Sequence, residues 1–392
     1  MPLAIHAEAE PGYGGVVDVF EANFRERGDV GAACAVYVNG RKVVDAWGGI
    51  ADKRSGRPWA EDTAAVIFSC SKGVLAICAY VLVQDGRLDL DAPVSRYWPE
   101  FAQHGKKAIT VRWLLSHRAG LPVLDRDLTR AEVLAWEPVI RAIEAQPPLW
   151  APGTAHSYHA LTYGWLIGEV IRRITGNRPG VFFRMTLGDP LGLSTWIGLP
   201  SSARESVAWM EPPLPDEDTP TVRALAQHLA EPIPTRNLDM GGAFGFPVEN
   251  GTVAFNDPQI QAAEVPAANG ISTARSLACL YAGCVSEMEG PRILSRKSID
   301  DAIRVQSSGQ QQFGPPDAGQ RWGTGFMLDS PPARPLLGSR SFGHDGAGGQ
   351  LAFADDEYGV GFAYLSNQMG GLLDARATEL TTALKDCLVG EN

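Results

Sequence analysis

The sequence predicts an α+β fold: an antiparallel sheet assembled from both ends of the chain, flanked by helices, with a mostly helical region inserted between them. Three observations support this. Strand-like apolar runs stand near the start and near the end, a tight-turn signal joins the first two, and three- and four-residue apolar spacing fills the middle.

The chain opens with a helical pattern at 16–27. Strands follow at 32–38 and 42–47, and Asn39-Gly40 supplies the turn between them because both residues tolerate positive φ. That hairpin argues for an antiparallel sheet rather than a doubly wound one. Residues 69–84 read as a helix, with Val74, Leu75, Cys78, Val81 and Leu82 on one face and Gly86 placed to end it. A short helical piece at 111–116 is closed by Gly120-Leu121-Pro122, and an amphipathic helix at 161–174 ends at Gly176. The proline-rich acidic run EPPLPDEDTP at 211–220 reads as an exposed excursion. Residues 272–282 are helical again, 351–354 and 359–366 return to strand, and a helix at 374–388 closes the chain. The expected division is a discontinuous α/β domain of residues 1–90 and 265–392, and a mainly helical domain of 91–264.

With 392 residues, 45% hydrophobic and 20% charged, the chain can bury a substantial core and has the composition of a soluble enzyme. A net charge of −11 argues against nucleic acid or an anionic membrane as partner, since both need a basic face. The six cysteines form no regular framework and are expected to be reduced thiols. The opening MPLAIHAEAEPGYGG lacks a basic segment followed by an apolar one, and the longest apolar stretch, 73–83, is too short to span a bilayer. A soluble, cytoplasmic protein without a leader is expected.

Chemistry concentrates in three places. In Phe68-Ser69-Cys70-Ser71-Lys72-Gly73, a helix beginning at Ser69 sets residues 69 and 72 on one face. Serine becomes a nucleophile when a neighbouring base takes its proton, and a lysine whose pKa is lowered by burial can be that base. The helix N-terminus adds N–H groups and positive potential where an oxyanion would form. Four letters alone also fit an N-cap serine before a surface lysine. The position after the apolar AAVIF segment and before an apolar helix favours catalysis.

The second place is the turn Pro152-Gly153-Thr154, which delivers Tyr158 just before a helix. A phenol beside a lysine is expected to have a lowered pKa and to accept or relay a proton, the alternative being a tyrosine packed at a helix entry. His156 and His159 form a His-x-x-His pair, but no acidic third ligand has suitable spacing, so no metal is expected. The third is Gly343-His344-Asp345-Gly346-Ala347-Gly348-Gly349, whose glycines let backbone run close to a ligand. A strand edge here would offer the Ala347 N–H beside that of Ser69. A turn between strands explains the glycines equally well, but not the histidine. Two decoys are Ser71 and Ser272, the latter within a near match to a Gly-x-Ser-x-Gly elbow. That elbow needs a parallel βα series, which is absent, so Ser272 reads as a helix N-cap.

Together, Ser69-x-x-Lys72, Tyr158 after a Pro-Gly-Thr turn, and His344-x-Gly346 in this order resemble the serine β-lactamase and penicillin-binding-protein superfamily. The resemblance is to its class C-like branch, which includes family VIII carboxylesterases. Stretches 88–101, 109–122, 152–176 and 266–282 are similar too, so the resemblance spans about residues 15–390. It implies a β-lactamase/transpeptidase-like fold with the active site between the two domains and no cofactor. It also implies Ser69 as the acylated nucleophile, with Lys72 and Tyr158 sharing base and acid roles. Ser69 and Ala347 would supply the oxyanion N–H groups, while His344 and Gly346 line the pocket, His344 supporting the hydrogen bonds of Tyr158. Two departures matter: the usual Lys-Thr-Gly of lactamases is His344-Asp345-Gly346, and the third position of Tyr-x-Asn is Ala160. Both shift the expected substrate from lactams to small-molecule esters, with short acyl groups as the family's tendency. The same groups would serve a D-amino-acid peptidase or amidase or a weak β-lactamase, and a silent member would only bind.

Overall fold

The computed structural model describes residues 4–246, 248–288 and 290–390, so the first three residues of the N-terminal stretch and the last two of the chain lie outside the described residues. Its main sheet is eight-stranded. The path runs Ile5–Ala9, Arg41–Asp52, Gly31–Val38, Val360–Ser366, Gln350–Asp355, Ser341–Gly346 and Met327–Leu328, with Arg57–Pro58 paired to Arg41–Asp52 off the path. Each pairing is antiparallel. The two ends of the chain meet at the centre, where Ala35 lies opposite Ala363. Asn39 and Gly40 take φ of 49° and 80°, the left-handed values a two-residue hairpin turn requires.

Because the central strands are covered on both faces, they are apolar nearly throughout rather than alternating. On one face the helices Gly14–Glu26 and Arg376–Gly390 pack Val16, Phe20, Leu380 and Leu384 against Val36, Phe353 and Phe362. On the other face Ala274–Val285 and Cys70–Gln84 join a core that continues into Thr162–Thr175. Cys70–Gln84 is buried almost all round, from Cys70 through Tyr80, which is what an apolar helix without a polar stripe requires. Each fully buried Leu or Ile there contributes about 1.5–3 kcal/mol of transfer free energy. Thr162–Thr175 stops at Gly176, whose φ of 78° supplies the left-handed cap.

Four local expectations need correction. The edge strand Ile5–Ala9 carries no burial pattern and is held by backbone pairing to Arg41–Asp52, so nothing in its side chains announced it. The glycine-rich run is not wholly a turn: Ser341–Gly346 is itself a strand, and the reversal falls at 347–349, with Gly348 and Gly349 at φ of 81° and 102°. Ser272 is not the N-cap; it ends the strand Ile271–Ser272 with its hydroxyl 2.7 Å from that of Thr195, and Thr273 caps the helix by accepting from the Ser276 N–H. The 211–220 run is anchored at its start, where the N–H groups of Glu211 and Leu214 donate to Asn367 and Met369 carbonyls at 2.7 and 2.9 Å, and residues 215–218 and 220 are exposed. Beyond it lie two helices, Pro220–Leu229 and Pro232–Asp239, in a stretch where the sequence showed no pattern. Among the described residues no helix is long and apolar enough to cross a membrane, and none of the six cysteines is in a disulfide.

Candidate active site

The strand Ala65–Val66 pairs with Ile271–Ser272, and the Ile67 N–H donates to the Gly270 carbonyl at 2.8 Å. The chain then turns sharply through Phe68, a bulky residue held at φ 43°. Its ring is buried against Phe255, 5.4 Å away, and that packing sustains the strained conformation. Ser69 follows at the N-cap of Cys70–Gln84 but makes no side-chain capping bond. Its Oγ lies instead between Lys72 Nζ at 3.0 Å and Tyr158 Oη at 2.9 Å.

Lys72 is fully buried and donates to the Ala267 carbonyl at 3.0 Å. Burial lowers its pKa to about 7, against opposing pulls from Asp345 and Cys70. A lysine that is half neutral near physiological pH can accept the serine proton. Its neighbour behaves differently from expectation. Burial pushes the Tyr158 phenol well above its usual range, with only the Ser69 hydrogen bond acting the other way as a leading influence. The Lys72 amine, 4.9 Å from the centre of the phenol ring, does not offset that burial. Tyr158 therefore stays protonated and donates to Ser69.

Tyr158 is fixed from several sides. Its N–H donates to Gln311 Oε1 at 2.8 Å, its carbonyl accepts from Asn237 Nδ2 at 2.7 Å, and its ring stacks on Trp322 at 5.3 Å. Asn237 also accepts from the Ala160 N–H at 2.8 Å, so both ends of its amide are engaged by the tyrosine segment. None of Asn237, Gln311, Trp322 or the Ala267 carbonyl was singled out from the sequence. The first three come from stretches without a motif, and the fourth is a backbone atom that no residue type announces.

Opposite the serine, Asp345, Gly346 and Ala347 form part of the wall of a cavity of about 580 Å³ that also reaches Ser69 and Tyr158. Gly346 is required there, since a Cβ would stand 2.4 Å from the Ile67 carbonyl oxygen. Among the described residues no backbone carbonyl accepts from the N–H of Ser69 or of Ala347. The turn beyond is gripped from behind by buried Arg376, which donates to the Gly348 carbonyl at 2.8 Å and is held by Asp29 and Asp374.

His344 does not line this cavity. Side chains alternate along a strand, so when Asp345 faces the cavity its neighbour faces away, and the His344 Cβ lies toward Gly73 of the nucleophile helix. Nor does it hydrogen-bond Tyr158: Nδ1 sits 2.6 Å from the Asp345 carbonyl oxygen, Nε2 has no partner, and the two rings are 6.0 Å apart. Burial lowers its pKa to about 4. Asp345 carries the polar function of the wall instead. Burial would raise its carboxyl, but Arg334, His344 and Lys72 together outweigh this and hold it below the usual range.

The remaining candidates are structural. His159 uses Nδ1 at 2.6 Å from the Ser157 carbonyl oxygen and Nε2 to accept from the Leu121 N–H at 3.0 Å. Among the described residues no group of three or more His, Cys, Asp or Glu could hold a metal ion. Ser71 Oγ donates to the Phe68 carbonyl at 2.5 Å and accepts from the Gly270 N–H at 2.9 Å, which ties the nucleophile turn to the strand behind it.

The family profile described as Beta-lactamase matches residues 20–385. The chain is 33% identical over 375 residues to the Esterase/beta-lactamase LipL of Mycobacterium tuberculosis, a match covering 93% of this chain and 83% of that protein. In structure it is similar to a family VIII carboxylesterase, with 34% identity, a TM-score of 0.85, and 98% of this chain and 100% of that one covered. A penicillin-binding-protein homologue from Caulobacter crescentus gives 34% identity and a TM-score of 0.84, with the same coverage of 98% and 100%.

Proposed function

The chain belongs to the β-lactamase family, and on that premise we propose that it is a serine carboxylesterase, cleaving small-molecule esters through an acyl-enzyme on Ser69. The observation that carries the reading is Ser69 Oγ held at 3.0 Å from a buried lysine amine and 2.9 Å from a protonated phenol. One partner can take the serine proton and the other can give one.

In the first half-reaction Lys72 Nζ accepts the proton from Ser69 as Oγ bonds to the ester carbonyl carbon. Negative charge moves to the carbonyl oxygen, facing the N–H groups of Ser69 and Ala347. The intermediate collapses with cleavage of the bond to the alcohol, Tyr158 protonates the departing oxygen, and Lys72 returns a proton to Tyr158. Water then attacks the acyl-enzyme by the reverse sequence, releasing the acid and restoring Ser69. Gly346 gives the wall its close approach to the Ile67 carbonyl, two residues before Ser69. The site lies between the discontinuous domain of 1–90 and 265–392 and the helical domain of 91–264. The same reading keeps the enzyme in the cytoplasm, where cysteines that form no disulfide stay reduced.

Esters are favoured over lactams by the wall, where Asp345 and Ala160 stand in place of the threonine and asparagine of the lactamase motifs and, among the described residues, no lysine lines the cavity. The test is hydrolysis of p-nitrophenyl acetate and butyrate beside a chromogenic cephalosporin, using wild type and Ser69→Ala. Ester turnover that disappears in the variant, with little cephalosporin turnover, is the expected result. Efficient cephalosporin hydrolysis would reassign the enzyme to lactams, and failure of a fluorophosphonate to label Ser69 would leave only a binding role.

A further inference from the structure

We infer that this site selects uncharged esters with an extended apolar acyl chain, and that Leu225 and Leu229 of the helix Pro220–Leu229, with Leu372 across the mouth, set that selectivity. The inference rests on the esterase reading above and specifies its substrate class.

Size is the first argument. The cavity is about 580 Å³, within the range of sites that enclose drug-sized ligands and far more than an acetyl or butyryl group fills. Lining chemistry is the second. Beyond the reacting groups, the wall is formed largely by aliphatic and aromatic side chains such as Leu225, Leu229, Phe313 and Leu372. Leu225 and Leu229 are four residues apart, so one face of this helix turns toward the cavity. Leu229 and Leu372 remain 36% and 38% exposed, so apolar surface is left uncovered at the mouth where a chain would lie.

Charge is the third. Among the described residues no lysine or arginine lines the cavity, whereas Asp317 and Asp345 do, Asp345 in an ion pair with Arg334. The imidazole in its wall, His228, has Nδ1 3.6 Å from the Glu231 carboxylate. A substrate bearing a carboxylate would give up its hydration to meet like charge, whereas a neutral chain meets apolar surface.

Each methylene that moves from water into the cavity raises kcat/KM about three- to fourfold, so p-nitrophenyl octanoate is expected to exceed the acetate at least ~10-fold. Leu225→Asp and Leu229→Asp should each cut the octanoate-to-acetate ratio ~10-fold or more; both positions are on a partly exposed helix, and circular dichroism checks that each variant folds. The anionic p-nitrophenyl hydrogen glutarate is expected at less than ~10% of the kcat/KM of the valerate, and Asp317→Lys should raise that ratio at least ~5-fold. An octanoate-to-acetate ratio at or below one, ratios indifferent to both leucine variants, or glutarate half-ester turned over as well as valerate would overturn the inference while leaving the esterase intact. Acetate turnover that persists in Ser69→Ala would instead sink the esterase reading, and this inference with it.

Discussion

The pH dependence of turnover tests the assignment of Lys72 most directly. Only its neutral amine can accept the Ser69 proton, and burial sets its pKa at about 7. Below that value the ammonium predominates, so kcat/KM should fall about tenfold for each further pH unit, and should rise about tenfold between pH 6 and pH 8. The histidines packed around the site do not confuse the reading. His159 and His344 are lowered to about 4, His117 lies well below its ordinary value and His156 is lowered too, each chiefly by burial. Glu264 does titrate nearby, since burial raises its carboxyl to about 7. Three substitutions separate the candidates. The Asp345 carboxylate favours the Lys72 ammonium, so Asp345→Asn removes that pull and unmasks Arg334; both changes lower the lysine pKa and move the acid limb to lower pH. Glu264→Gln should leave the limb in place, as should His228→Gln at the pocket mouth. The assay is steady-state hydrolysis of a p-nitrophenyl ester with product quantified at a single alkaline pH after quenching. A flat profile from pH 5.5 to 8, or a limb that vanishes with Glu264→Gln and ignores Asp345→Asn, would refute the assignment.

Other expectations follow from single contacts. Tyr158→Phe keeps the ring stacked on Trp322 but removes the donor to Ser69, so kcat should drop about 100-fold or more with little change in KM; near wild-type turnover would reduce Tyr158 to packing. Gly73→Ala would set a Cβ 2.0 Å from the Tyr281 hydroxyl, costing about 1–3 kcal/mol in urea unfolding. That hydroxyl is buried without a partner, so Tyr281→Phe should be nearly neutral alone and should recover much of the loss in the double variant; additive losses would show that the clash lies elsewhere. Ser71→Ala leaves the buried Gly270 N–H unpaired and should cost about 1–3 kcal/mol of stability while most activity survives, as it should in Ser272→Ala; loss of activity in Ser71→Ala with survival in Ser69→Ala would shift the nucleophile by two residues.

Much of this was legible from the linear chain because the signals are local. A helix period ending in glycine gave the Thr162–Thr175 helix, and Asn39-Gly40 gave the first hairpin, since both depend on backbone preferences over a few residues. Ser69 and Lys72 share a face because helix geometry alone brings them together, and the resemblance carried by three motifs in order pointed to Tyr158, Gly346 and Ala347, which line the same cavity as Ser69. The misses have a common origin. Ile5–Ala9 is a strand only because Arg41–Asp52 presents an edge to it. Asp345, given no role by the sequence, lines the cavity where His344 was expected, because facing is decided by strand register and a period of two sends adjacent residues to opposite sides.

The sequence by itself determined the fold class and the one-turn spacing that sets Ser69 beside Lys72, because each is written in spacing that the backbone must obey. Tertiary structure decided the electrostatics: that Lys72 sheds its charge near neutrality while Tyr158 keeps its proton, that Asp345 faces the cavity, and that Asn237 and Trp322 fix the phenol. Those properties depend on desolvation and on side chains converging from segments far apart in the chain. Neither exists until the core has closed.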